Sequence, residues 1–163
     1  MEARLPRQAE LAAGALTDAG PAALLREAMA LHRAGRTAEA DERYAAFLRA
    51  VPDHPQALRL CGILAREAGD LERSLKLLRR ATDADPSDPE PAAELGVSCL
   101  AAGYLQLAEA ALRKAVARGP DSVKALANLG ALLQHRGHLD EAIGCHRRAL
   151  ALTQSDASGG VVF

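Results

Sequence analysis

The sequence has almost no aromatic residues. Phe, Trp and Tyr make up 2% of 163 residues, and tryptophan is absent. Val and Ile are sparse, so runs that would read as β-strands are hard to find. No stretch of 18 or more apolar residues occurs, which removes a membrane-spanning helix from the expectation. The opening "MEARLPRQAELAAGALTDAG" lacks a long apolar core after a basic start, so neither a secretory leader nor a membrane anchor is expected. Excess charge of one sign is missing too. The net charge is −1 and the pI about 6.5, without the concentrated basic surface that nucleic-acid binding requires. Cysteine is scarce: Cys61, Cys99 and Cys145 are far apart and odd in number. They read as free thiols in a reducing, cytoplasmic setting rather than as a disulfide framework. The chain has no phosphate-cradling glycine loop, no nucleophile elbow and no paired metal motif, so neither catalysis nor a cofactor is expected.

What is present is alanine and leucine, which supply much of the 49% hydrophobic content. Ala, Leu, Glu and Arg all favour helix. The composition predicts an all-α protein whose helices approach closely across small side chains.

The chain also repeats. The segments "LCGILAREAGDLERSLKLLRRATDADP" (60–86), "LGVSCLAAGYLQLAEAALRKAVARGP" (95–120) and "LGALLQHRGHLDEAIGCHRRALALTQ" (129–154) align without a gap at an offset of 34 residues, and "EAMALHRAGRTAEADERYAAFLRAVP" (27–52) is an earlier copy. The units are 21–54, 55–88, 89–122 and 123–156. Gly35, Gly69, Gly103 and Gly137 fall between two helical patterns, where glycine can stop the first helix in a left-handed conformation. Ala28, Gly62, Gly96 and Gly130 form a second small column, and Ala40, Ser74, Ala108 and Ala142 a third. Both allow the two helices of a unit to come close. Pro52, Pro86 and Pro120 close three of the units.

These columns resemble the tetratricopeptide repeat family. Its motif places a bulky apolar residue, Leu-Gly, a turn Gly, an Ala, an aromatic, another Ala and a Pro in this order. Unit four carries Leu126, Leu129, Gly130, Leu133, Gly137, Ala142, His146 and Ala149 in that frame. Unit three carries Ala92, Leu95, Gly96, Cys99, Gly103, Ala108, Leu112, Ala115 and Pro120. Unit one departs most, with Glu27 where leucine is usual and Phe47 where alanine is usual. The resemblance implies a right-handed superhelical solenoid of helix–turn–helix repeats, with the first helix of each unit on the concave surface. Residues 1–20, with Leu5, Ala9, Ala12 and Leu16 at helical spacing, read as an N-terminal capping helix, and 157–163 as a flexible tail.

One stretch tests this reading. "HRGHLDEAIGCH" packs His135, His138, Cys145 and His146 into a short span, as a metal site would. The repeat register separates them. His135 ends a first helix, His138 lies in the turn, and Cys145 and His146 point about 100° apart on the second helix. Metal ligands must converge to about 2.0–2.3 Å from one ion, which this arrangement disfavours. The repeat instead makes His146 a partly buried helix residue in the column of Tyr44, Leu78 and Leu112, and makes Cys61 and Cys99 small core residues.

Function then falls to the concave groove. The stripe opposite the core on each first helix gives a central column of Met29, Ile63, Val97 and Ala131. Flanking columns hold Leu25, Arg59, Ala93 and Ala127, then His32, Arg66, Leu100 and Gln134, with Lys124 in the outer column and Asn128 beside it. The expected ligand is a protein or peptide, an apolar segment or amphipathic helix carrying an acidic group that meets Arg59 and Arg66. The family includes members that grip a C-terminal carboxylate with Lys and Asn. The corresponding places here hold Leu25, Met29, Leu60, Glu90 and Glu94, or Arg59, Ile63, Glu94, Lys124 and Asn128 one unit on, and neither frame reproduces that clamp.

Three roles remain open from sequence. One is an adaptor or scaffold. Another is a non-catalytic module of, or partner to, a larger bacterial enzyme of glycosyltransferase, sulfotransferase or hydroxylase type. The third is a secretion-type chaperone. Ile143, Leu150 and Leu152 on the last helix would pack on a further unit in a longer array. Self-association through this end, with Val161, Val162 and Phe163 reaching a neighbour, is a further reading left open by the sequence.

Overall fold

The computed structural model describes residues 20–159. The capping helix expected within 1–20 lies, apart from Gly20, outside the described residues, as do Val161, Val162 and Phe163. Among the described residues there are eight α-helices and no strand. They are α1 (Pro21–Arg33), α2 (Thr37–Ala50), α3 (Pro55–Glu67), α4 (Leu71–Ala84), α5 (Glu90–Ala101), α6 (Leu105–Arg118), α7 (Val123–His135) and α8 (Leu139–Gly159).

Each pair is joined at the expected glycine. Gly35, Gly69, Gly103 and Gly137 have φ of 73°, 84°, 79° and 82°, and no other residue type in the described chain takes positive φ. The hydrogen bonds around them repeat. The amide of Arg36 donates to the carbonyl of Leu31, and those of Asp70, Tyr104 and His138 donate to Ala65, Cys99 and Leu133. This is the Schellman geometry, which satisfies carbonyls left open at a helix C-terminus. Side-chain caps start three helices: His54, Asp70 and Ser122 accept from the amides of Ala57, Arg73 and Ala125.

The second small column explains how closely the helices of a unit approach. A Cβ added at Gly62 would lie 2.6 Å from Cγ of Leu78, and one at Gly96 would lie 2.5 Å from Cγ of Leu112. Those contacts seat Leu78 and Leu112 at 0% exposure, with Tyr44 equally buried against Ala28 in unit one. The unusual Phe47 of unit one is also buried and meets His54 edge-on at 5.1 Å. Glu27 stays exposed and pairs with Arg43 at 3.4 Å.

Contacts run between the helices of each pair, from each second helix to the next first helix, and between α3 and α5 and between α5 and α7. The first helices therefore form one layer and the second helices the other. Buried residues form a core around units one and two and another around units three and four.

The fourth unit differs from the expected tail. α2, α4 and α6 each stop two residues before Pro52, Pro86 and Pro120, because proline excludes the helical conformation from the residue before it and offers no amide. Gln154 occupies that register in unit four, and α8 continues through Gly159. Residues 157–159, read from sequence as flexible, are helical; 160–163 lie outside the described residues.

Candidate functional site

The groove residues named from sequence lie along the first-helix layer, and they separate into an apolar file and a charged cluster. Leu25, Met29, Ile63, Val97 and Leu100 are half-buried. Leu25 and Met29 pack on the core of the first two units, and Leu100 on the core of the last two. His32, also half-buried, meets the Tyr44 ring edge-on at 6.3 Å. Ala93, which the register put in a flanking groove column, is fully buried with Ala92, Ala115 and Ala125 where α5, α6 and α7 meet. Ala131 and Gln134 are exposed.

The charged cluster centres on Glu94, whose side chain is 3% exposed. Arg66 of α3 donates to its carboxylate at 2.9 Å and to its backbone carbonyl at 3.4 Å. Lys124 of α7 donates to the other carboxylate oxygen. The same Arg66 nitrogen reaches Oγ of Ser98 at 3.3 Å, and Ser98 shares a 2.9 Å hydrogen bond with buried Ser74 of α4. A continuous polar network thus joins units two, three and four. Burial opposes ionisation of Glu94, but the hydrogen bonds from Lys124 and Arg66, with their charges, outweigh it and hold the carboxyl below its usual range. A buried carboxylate so supplied with donors is a structural tie between units.

This changes the electrostatics expected of the groove. Arg66 and Lys124 are committed to Glu94, and Arg59 makes no ion pair among the described residues. Asn128, one unit on from Glu94, is half-buried. Sequence reasoning met Glu94 only as a mismatch to a carboxylate clamp. The available signal was its place: an acidic residue in a column otherwise holding Arg26, Leu60 and Asn128, between cations of the two neighbouring units.

The histidine-rich stretch is dispersed. His138 faces Glu141 at 3.7 Å with both half-exposed, Cys145 packs against the core of the last two units, and His135 is exposed. His146 is exposed, not partly buried. Its ring lies over Gly130, and no helix beyond α8 covers it among the described residues. Among the described residues no three His, Cys, Asp or Glu side chains converge to hold a metal ion. Burial pushes the Cys61 thiol up to about 12, with the Asp41 charge adding to it, and raises Cys99 as well. A nucleophilic thiol needs the opposite shift.

Known proteins share this architecture. Two sequence models described as "Tetratricopeptide repeat" match residues 25–89 and 111–144. No curated protein sequence matches the chain. Among solved structures, a crystal structure of MamA aligns with a TM-score of 0.78 at 19% identity, over 85% of this chain and 81% of that one. MamA from Desulfovibrio magneticus RS-1, residue 41 to the end, aligns with a TM-score of 0.75 at 22% identity, over 83% and 77%. YrrB, titled "a TPR protein with an unusual peptide-binding site", aligns with a TM-score of 0.70 at 17% identity, over 82% and 69%. At these identities the likeness establishes the fold, a right-handed superhelical solenoid.

Proposed function

We propose that this chain, which belongs to the tetratricopeptide repeat family, is a non-catalytic interaction scaffold that takes a peptide or amphipathic helix along its first-helix face. The observation that carries this reading is the file of half-buried apolar side chains Leu25, Met29, Ile63, Val97 and Leu100, one or two from each of three successive first helices. An open solenoid presents such a file on its concave side. The peptide-binding description of YrrB, a protein of the same fold, supports it. Arg59 is the cation left to meet an acidic group on the ligand, which puts that group toward the N-terminal half of the groove. The three free cysteines support a cytoplasmic setting, and no described helix is long and apolar enough to cross a membrane.

Peptides selected from a random library on the immobilised protein provide the test. Ile63→Glu should weaken their binding about tenfold or more, because a buried charge would replace an apolar contact. Lys76→Glu, on the exposed face of α4, should change it little. Equal effects of the two substitutions would move the site off the first-helix face.

A second observation concerns the last helix. Leu139, Ile143 and Leu150 are 58%, 47% and 58% exposed. Apolar surface of this kind favours a covering partner, either a second copy or another chain such as an adjoining enzyme. Light scattering over a concentration series should show association that Ile143→Glu with Leu150→Glu abolishes. A strict monomer at high concentration would remove the self-association version.

A further inference from the structure

The second-helix layer contains three equivalent junctions, α2–α4, α4–α6 and α6–α8, and the middle one differs in kind. At the first, Asp41 accepts two hydrogen bonds from Arg73, at 2.7 and 2.8 Å. At the third, the residues in the same register are Glu109 and Glu141, and Arg113 bridges them at 2.9 and 2.7 Å. At the middle junction that register holds Leu75 and Leu107.

The surrounding cations follow the same pattern. Arg79 is the counterpart of Arg113, but both carboxylates that Arg113 bridges are replaced by leucine. Lys114 is the counterpart of Arg80 and Arg148. Those two donate to the carbonyls of Pro52 and Pro120 at 2.7 and 2.8 Å. Neither Arg79 nor Lys114 makes an ion pair or such a carbonyl contact among the described residues.

In place of the ion pairs there is a cavity of about 360 Å³ between α4 and α6, with Leu95 and Cys99 of α5 among its lining residues and Tyr104 and Leu107 each 52% exposed. Arg79 and Lys114 also line it. A larger depression of about 610 Å³ at the α2–α4 junction has charged walls, including the paired Asp41 and Arg73. Unlike the α2–α4 depression, the middle junction combines apolar walls with two cations, Arg79 and Lys114, that make no ion pair among the described residues.

We propose that the α4–α6 junction is a second docking site, for a short segment of another protein that buries a bulky apolar side chain between Leu75, Leu95, Leu107 and Tyr104 and gives carboxylates to Arg79 and Lys114. The incoming carboxylate takes the part that Glu141 plays for Arg113 one junction on. The apolar side chain fills a space that water solvates poorly. Charge complementarity specifies an acidic segment, since a basic one would bring like charges to Arg79 and Lys114. The site lies on the layer opposite the groove, so the scaffold can hold two partners at once.

The test uses the full chain, isotope-labelled at leucine methyls, titrated with the capped peptide Asp-Glu-Phe-Leu-Asp-Glu and with a counterpart carrying Lys at every acidic position. Saturable shifts should centre on Leu75, Leu95 and Leu107 for the acidic peptide only. Leu107→Glu supplies the missing intramolecular partner for Arg79 and blocks the cavity, so it should keep the helical circular dichroism while weakening binding about tenfold or more. Arg79→Ala should weaken it by a similar factor, while Arg147→Ala, the same register on α8, should not. The proposal is overturned by the absence of saturable shifts, by shifts confined to Leu25, Ile63 and Leu100 on the other layer, by equal binding of the Lys peptide, or by a folded Leu107→Glu variant that binds as the parent does.

Discussion

Units three and four share one register, and four pairs of equivalent residues show what position in the array does to it. Leu112 on α6 is fully buried, whereas His146 on α8 is exposed. A Cβ at Gly96 would press on Leu112, fixed in the core at 2.5 Å, whereas one at Gly130 would meet the imidazole of His146 at 2.7 Å. Glu94 is buried between two cations from neighbouring units, and its counterpart Asn128 is half-buried. Pro120 follows α6 and Gln154 lets α8 run on. Leu112, Glu94 and Pro120 are apolar, ionically tied or conformationally restrictive, and their unit-four counterparts His146, Asn128 and Gln154 are polar or permissive. A repeat unit has no fixed core of its own. The neighbouring unit decides which columns are core, and a polar histidine is tolerated in a core column on which no described helix packs from beyond.

The largest effect expected from this comparison is on stability. Leu112→Ala removes a side chain packed on all sides and should cost about 2–5 kcal/mol, as transfer and cavity terms add. His146→Ala removes a ring that is exposed and should stay within about 0.5 kcal/mol. Urea denaturation of the two variants against the parent measures both, with midpoints compared because arrays need not unfold in a single step. Similar losses in the two would mean that α8 is covered as α6 is, and the contrast between interior and terminal units would fail.

The fold was legible in the sequence because its determinants are local and repeated. The turn glycines act within their own chain segment, and four copies in one register fix where each helix pair closes. The small columns announced close helix approach for the same reason. The groove was legible as a stripe, which needs only helical period, but its charge was not. Arg66 and Lys124 looked available because the residue that engages them, Glu94, comes from another unit and is brought between them only by stacking. Ala93 failed as a groove residue on similar grounds, since three helices converge on it. The exposure of His146 was likewise set by what stacks beyond it, which the repeat register does not encode. The length of α8 could have been read: the closing proline is missing from unit four, and no strong stop replaces it before Gly159.

A smaller effect sharpens the comparison at Glu94 and Asn128. The folded protein holds the Glu94 carboxyl below the value of about 4.3 that an exposed glutamate shows in an unfolded chain. A depressed carboxylate contributes stability that is fully present above the unfolded pKa and is lost as pH falls through the folded one. Glu94→Gln keeps the shape and removes the titration. It should lower stability at pH 7 by roughly 1–3 kcal/mol, since Arg66 and Lys124 lose a charged acceptor. That deficit should shrink steadily as pH falls below about 4.3, because protonation then deprives the parent of the same interaction. Asn128→Asp, at the unit-four counterpart, should show no comparable deficit at neutral pH. Other carboxylates with lowered values, such as Glu109 and Asp85, titrate equally in parent and variant and cancel in the difference. Thermal midpoints of parent and Glu94→Gln between pH 3 and pH 7 decide the matter. A gap that stays constant across that range would mean that Glu94 is held by packing alone, and the interior unit would lose its ionic tie to both neighbours.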